Sequence, residues 1–440
     1  MASQRMRVAV IGGGWAGLAA AVAAVQAGHD VTLLDAASTL GGRARALPVE
    51  LPDASTLVLD NGQHILIGAY TECLALMTTV GVDPERALLR LPLSMRFADG
   101  TGLQWPDIAP PWDAALGIAR ARGWSWRERL ALLRRAQRWQ RDRFRCAGDA
   151  SVADLCAGLP ARLTDEFIEP LCVAALNTPA SQASGQVFLR VLRDSLFSGP
   201  GGSNLLIPRV DLGALLPDAA ARWLRSRGAV VCTSERVHQL HAHTGPGGEW
   251  CWQVNAAPFD RVVLATGCSE AARLVSRCAG AAPLDLTVAL CDWAASAQAL
   301  RFQAITTVYV HSPGTRLDAP MLALRPSPEH PAQFVFDRGQ LGGPAGLLAF
   351  VVSTSQGERT KLEQQVLAQA TTALSLQTLQ VVQTVVEKRA TFSCTPGLVR
   401  PATSIAPGLL ACGDYIAGPY PATLEGAVRS GQACANQLLH

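Results

Sequence analysis

Charge is scarce in this chain. Of its 440 residues 17% are charged against 49% hydrophobic, and the formal net charge is only +3. A balance so close to neutral lacks the basic footprint of a nucleic-acid binder, and no nucleic-acid partner is expected. Lysine is nearly missing: Lys361 and Lys388 are the only two, so almost all positive charge is arginine and a catalytic amine has two places to come from. The twelve cysteines include no Cys-x-x-Cys pair, so neither a zinc knuckle nor a disulfide framework is indicated, and buried thiols in a reducing cytoplasm are the default. His238, His241 and His243 have a metal-like spacing, but alternation in a strand-and-turn segment turns them to solvent, and no metal site is expected. Long apolar runs are lacking too. Val8 to Gly28 carries no charge, yet glycines punctuate it, and no other stretch reaches the about eighteen residues a membrane span needs. Internal repeats and low-complexity segments are absent.

Those glycines are the most informative feature present. Arg7 to Ile11 reads as a buried strand, and Gly12, Gly14 and Gly17 then occupy the three positions of G-x-G-x-x-G. Gly12 permits the turn out of the strand, Gly14 lets backbone approach a pyrophosphate, and Gly17 lets the following helix pack close to the sheet. The anion would rest on unpaired N–H groups at the positive end of that helix. Val31 to Leu34 reads as the second strand and ends at Asp35, where an acid should meet a ribose hydroxyl.

Two further elements narrow the dinucleotide to FAD. Leu40-Gly41-Gly42-Arg43 places glycines and an arginine after the second strand, and Arg43 can pair with a phosphate as a charge-assisted fork. Near the far end, a short strand runs into Gly413-Asp414, where Asp414 can accept from ribityl or ribose hydroxyls. A loop then leads through Thr423 to a last helix beginning Glu425-Gly426-Ala427, whose backbone N–H groups are placed to stabilise charge at the flavin N1/O2 edge.

A cofactor held by both ends of the chain requires a discontinuous domain. The expected architecture is α/β: a Rossmann-type FAD-binding domain built from residues 1–75, 201–283 and 391–440, with an α+β substrate domain built from 76–200 (mostly helical) and 284–390 (sheet-rich). Strands are expected at 228–233, 236–240, 250–254 and 261–266 in the middle contribution. In the last insertion they are expected at 284–290, 306–310, 333–337 and 347–353, with a helix over 358–374. That mixed or antiparallel sheet would roof the flavin.

Residues 112–145 stand apart. Trp112, Trp124, Trp126 and Trp139 lie among ten arginines, and the only acids after Asp113 are Glu128 and Asp142. From Arg127 onward Leu130, Leu133, Gln137 and Phe144 suggest one imperfect apolar stripe. A basic amphipathic helix with tryptophans lies in a bilayer interface, and a solvated helix face is the alternative.

Over nearly its whole length the chain resembles the flavin amine oxidase and carotenoid desaturase superfamily. The segments Leu59-Asp60-Asn61-Gly62-Gln63-His64-Ile65-Leu66, Phe167 to Thr178, Gly202 to Pro208 and Gly413 to Ala427 are closer still to its hydroxysqualene dehydroxylase branch, the squalene-associated FAD-dependent desaturases. Asp35 stands where the superfamily usually has Glu, and Cys412 where it has a smaller residue. The resemblance implies reductive dehydroxylation in squalene or hopanoid synthesis: hydroxysqualene takes a hydride from reduced FAD and loses water. It also implies noncovalent cofactor contacts at Ala16, Gly62, Gln63 and Val237 besides those already named, and catalytic candidates His64, as proton donor, with Asn177 and Tyr420 in the pocket. A membrane-resident substrate would give 112–145 a docking role and place the protein in the cytoplasm, peripheral on the inner face of the membrane. The rival readings are a carotenoid-type desaturase running the electrons the other way, an amine oxidase, for which neither lysine is a convincing flavin neighbour, and a non-catalytic FAD protein serving a prenyl synthase partner.

Overall fold

Arg7–Ile11 is the hub of a six-stranded sheet in a computed structural model that describes residues 5–438 apart from 51–55, 197–198, 246–247 and 249. Its neighbours are Asp30–Leu34 on one side and Arg261–Leu264 on the other, both parallel to it. Val230–Cys232 extends the first side and Leu409–Ala411 the second, still parallel. Only the edge strand Ser404–Ala406 runs antiparallel. Three distant stretches of chain thus build one sheet. Its strands are apolar on both faces because both are covered. Val8, Val10, Val31 and Leu33 pack under the helix Trp15–Gln26, while Ala9, Ile11, Val262 and Leu264 pack under Cys268–Ala279. The last helix, Leu424–Gln437, lies against Trp15–Gln26. A Cβ on Gly431 would come within 2.2 Å of the Ala16 carbonyl oxygen, so only glycine allows this crossing.

The second large sheet is antiparallel, in the order Met321–Ala323, Phe334–Asp337, Leu347–Ser353, Phe302–His311, Gln380–Phe392. Alternation divides it. Val308, Val310, Leu348, Phe350 and Val352 pack under the helix Arg359–Leu374. Ile305, Thr307, Phe334, Phe336 and Val351 face a cavity instead. Residues 76–200, expected to be mostly helical, hold several helices and also three short strands, Leu88–Leu91, Ser94–Arg96 and Gly102–Gln104, and their helix Glu169–Leu176 closes another side of that cavity.

Three expectations need correction. Leu284 to Leu290 is not a strand but the start of a helix, Leu284–Gln298. Its buried residues, Leu286, Leu290, Trp293, Ala294 and Ala297, follow helical spacing, while Leu284 and Val288 remain exposed on the far side and make the run look uniformly apolar. Of 236–240 only Leu240 enters a strand, Leu240–Thr244, because the Asn255 side chain accepts the N–H groups of His238 and Gln239 before it. In the Arg/Trp stretch the helix Trp126–Arg141 buries Leu132 and Trp139; Gln137 is exposed and Phe144 lies past the helix end at positive φ. Trp124 is also core, edge-on to Phe167. Trp112 and Trp126 are the exposed pair, at 70% and 68%. No described helix is long and apolar enough to cross a membrane.

Candidate active site

A cavity of ≈ 610 Å³ starts where the parallel strands end and finishes under the antiparallel sheet. Open α/β sheets bind ligands at this carboxyl edge. At its first end two glycine loops close on each other. Gly12 has φ +112°, and a Cβ there would stand 2.6 Å from the Ala265 carbonyl oxygen. Gly41 N–H donates to the Gly13 carbonyl, and Gly14 and Gly42 face each other with no room for larger residues at Gly42 (φ +60°). The helix Trp15–Gln26 begins at Gly14 without a side-chain cap, so its first N–H groups are left for an anion. Gly17 is not on the wall: its absent Cβ would fall 1.9 Å from the Gly12 carbonyl, so its role is to seat the helix, as the spacing implied.

Asp35 lines this end, with its carboxylate accepting from Gly13 N–H at 2.5 Å and Ala37 N–H at 2.7 Å. Arg43 and Asp414 both line the wall and are ion-paired with each other, Arg43 also donating to the Ala390 carbonyl at 2.6 Å. The buried hydroxyls of Thr266 and Tyr415 have no protein partner among the described residues, although both belong to the wall. Cramped glycines, an uncapped helix start and orphaned hydroxyls fit a pyrophosphate flanked by sugar oxygens.

Beyond Arg43 the wall changes character. Ile65, Leu93, Met95, Leu171, Val173, Ile305, Met321, Phe334, Phe336 and Val351 make a greasy chamber contiguous with the nucleotide cradle. None of the charged residues on the cavity wall is a lysine.

Residues 15–439 match the model of the flavin-containing amine oxidoreductase family. The chain belongs to that family. It is therefore an FAD-dependent oxidoreductase, and the cradle just described suits that cofactor. The hydroxysqualene dehydroxylase of Rhodopseudomonas palustris is 29% identical, with 98% of each chain covered. A zeta-carotene desaturase of Synechocystis is 40% identical, but over only 19% of this chain and 16% of its own. Among solved structures, an oxidoreductase of Methanosarcina mazei superposes with TM-score 0.71 at 17% identity, covering 97% of this chain and 99% of that one.

In this flavin oxidoreductase most of the residues expected at the cofactor do line the cavity: Gly12, Gly14, Ala16, Asp35, Gly42, Arg43, Gly62, Gln63, Val237, Gly413, Asp414, Thr423 and Ala427. Glu425 and Gly426 do not. The Glu425 carboxylate is 2% exposed and accepts from the N–H groups of Glu72 and Cys73, capping the helix Thr71–Thr79, while Arg429 pairs with it at 2.7 Å. Gly426 N–H donates to the Thr423 hydroxyl and Ala427 N–H to the Thr423 carbonyl, so neither is left to stabilise flavin charge.

The catalytic candidates fare unevenly. Tyr420 is off the wall and donates its hydroxyl to Asp194 at 3.2 Å. Asn177 is on the wall, but its amide is committed. It ends a helix at φ +44°, donates to the Thr391 hydroxyl at 2.8 Å and accepts from Thr354 N–H at 3.1 Å. His64 lies on the wall beside Gly62, its Nδ1 2.9 Å from the Gly62 carbonyl. A carbonyl only accepts, so Nδ1 carries a hydrogen. Burial, with Arg43 nearby, holds the imidazole below the usual histidine pKa. Both weigh against the proton-donor role expected of His64, since the Nδ1 hydrogen is committed to Gly62 and the charged ring is disfavoured.

The loop bearing it is fixed from beneath. Asp60 (2% exposed) pairs with Arg338 at 3.4 Å and accepts from Leu212 N–H, and Arg338 also donates to Gln63 at 3.2 Å. Tyr309, from the roofing sheet, donates to the Asp60 carbonyl at 2.9 Å. Sequence reading singles out neither Thr307 nor Tyr415, whereas Thr266 and Gly267, at the end of the strand expected over 261–266, read as a second close approach to the nucleotide and do line the cavity. For Thr307 a signal existed: it shares a strand face with Ile305 and Tyr309.

Proposed function

We propose that this enzyme removes the hydroxyl of hydroxysqualene reductively, releasing squalene and water. The carrying observation is the apolar chamber that opens directly off the nucleotide cradle, walled by Leu93, Met95, Phe334, Phe336 and their apolar neighbours. Such a wall suits a hydrocarbon substrate, and it offers no lysine. Relatives that match end to end carry the dehydroxylase name, which supports the same reading.

The reaction breaks one C–O bond and makes one C–H bond, and the hydride taken by carbon and the proton with which the oxygen leaves as water together match the two hydrogens of fully reduced FAD, so the sum balances with oxidised FAD left behind. Reduced FAD, when bound, supplies the hydride. The protein's share is exclusion of water from an allylic cation, which Phe334, Phe336, Met95 and their neighbours provide. It must also hold the reacting carbon in place, since placement within near-attack distance replaces a bimolecular encounter. The test is anaerobic incubation of reduced enzyme with hydroxysqualene. Squalene is the expected product, and its absence, or desaturated products from the oxidised enzyme instead, would overturn the proposal.

We also propose that the enzyme works at a membrane surface. Trp112 and Trp126, with Ile108 at 45% exposure, stand out among exposed arginines, and those groups suit an anionic lipid interface. The adjoining buried layer, Trp105, Trp124 and Phe167, packs in the same core as the chamber residues Leu93 and Met95.

A further inference from the structure

Thr307 is 1% exposed, and its hydroxyl has no hydrogen-bond partner among the described residues. Its neighbour Thr306, on the opposite face of the strand, pairs its hydroxyl with Ser355 at 2.9 Å. Leaving a buried hydroxyl unpaired is costly, and such groups call for an explanation. Thr307 lies on the wall of the chamber. The space in front of it is shaped by Gly62. A Cβ built there would be 3.9 Å from Thr307 Oγ1 and 3.6 Å from Cε1 of His64. The missing side chain therefore leaves a gap bordered by the Thr307 hydroxyl and by the Cε1 edge of the His64 imidazole.

We propose that Thr307 is an alcohol-recognition residue, donating its hydroxyl to the oxygen of the substrate's hydroxyl. A free donor matches an alcohol and nothing in a plain hydrocarbon. Two other polar side chains of this wall are engaged: Gln63 accepts from Arg338, and Asn177 bridges Thr391 and Thr354. Thr307 is thus a specificity residue that separates hydroxysqualene from squalene and lets the deoxygenated product leave. The inference rests on the dehydroxylation reading.

The test uses oxidised holoenzyme, which binds without turning over. Detergent-solubilised hydroxysqualene and squalene are titrated separately, with the flavin absorbance change as readout. Wild type should favour the alcohol. Thr307→Val, nearly isosteric, should weaken alcohol binding about ten-fold, the worth of one lost hydrogen bond. It should leave squalene binding and FAD content unchanged, and Thr307→Ser should restore the preference. An equal loss for both ligands, or a fall in FAD content, would assign Thr307 to packing or to the cofactor and overturn the proposal. An undiminished preference in Thr307→Val would overturn it as well. A wild type with no preference for the alcohol would count against the dehydroxylation reading itself, which keeps the two failures distinct.

Discussion

Gly62→Ala separates space needed for folding from space needed for a ligand. The backbone at Gly62 is outside the left-handed region, and the added methyl would meet His64 Cε1 at 3.6 Å and Thr307 Oγ1 at 3.9 Å, ordinary contact distances. The fold therefore has no reason to object. Replacing glycine by alanine at a compatible site stabilises by about 0.4–1 kcal/mol through the unfolded state. In a chain of this size that raises Tm by about 2 °C at most. The methyl nevertheless occupies the gap through which the alcohol oxygen would reach Thr307, and that hydrogen bond is lost. At about 1.4 kcal/mol, that is a loss of roughly ten-fold in alcohol affinity. A thermal melt and the flavin-absorbance titration measure the two effects on one preparation. A Tm lowered by several degrees would show that the gap is structural packing space. Normal melting with normal alcohol affinity would show that no ligand atom enters it, and the reasoning about this site would fail.

Gly17→Ala should behave in the opposite way: its Cβ would lie 1.9 Å from the Gly12 carbonyl oxygen, so the helix must lift off the strand, and a loss above about 2 kcal/mol together with colourless protein is expected on purification. A yellow, stable variant would contradict the packing described. Burial pushes the Asp60 carboxyl up to about 6 against the opposing pull of Arg338, so the native state holds the extra proton between about pH 4 and pH 6, and stability falls as pH rises through that window, by about 3 kcal/mol in all. Relative to Asp60→Asn, wild type should therefore be more stable at pH 4 than at pH 7 in urea unfolding, and a pH-independent difference between the two would refute this. Trp112→Ala combined with Trp126→Ala should abolish flotation with anionic vesicles while leaving Tm unchanged, whereas Trp124→Ala should cost about 3–5 kcal/mol by opening the core; flotation that survives the double substitution would remove this surface from consideration.

The parts of the site legible in the sequence are those whose cause is local. Gly12, Gly14 and Gly17 announce themselves because a tight turn, a close approach and a helix seat each forbid a side chain at fixed spacing. Arg43 and Asp414 were legible as cofactor neighbours by their flanking glycines, although not as partners of each other, since 371 residues separate them. Glu425 shows where local reading stops. An acid in the first turn of a helix suggests its own helix terminus, yet it caps a different one, 352 residues away at Cys73. Tyr420 likewise finds its partner in Asp194. Leu284 and Val288 misled for another reason: they are apolar and exposed, so burial and hydropathy disagree along that helix.

The roofing sheet explains why the chamber can hold a polar spot in a defined place. Residues of one face of Phe302–His311 do two jobs two positions apart: Thr307 borders the gap at Gly62, and Tyr309 donates to the carbonyl of Asp60. Asp60 in turn tolerates burial because Leu212 N–H and Arg338 satisfy its carboxylate, and Arg338 reaches on to Gln63, next to His64. Thr307 and His64 arrive from segments more than 240 residues apart, yet each lies within two residues of this connected set. A sheet sliding over the loop would have to break the Tyr309 bond and expose a buried charge pair, which is costly in a low-dielectric interior. Thr307 and the Gly62 loop therefore keep their spacing without touching each other, and an apolar chamber that would bind a floppy hydrocarbon in many registers acquires one point at which a hydroxyl fixes it.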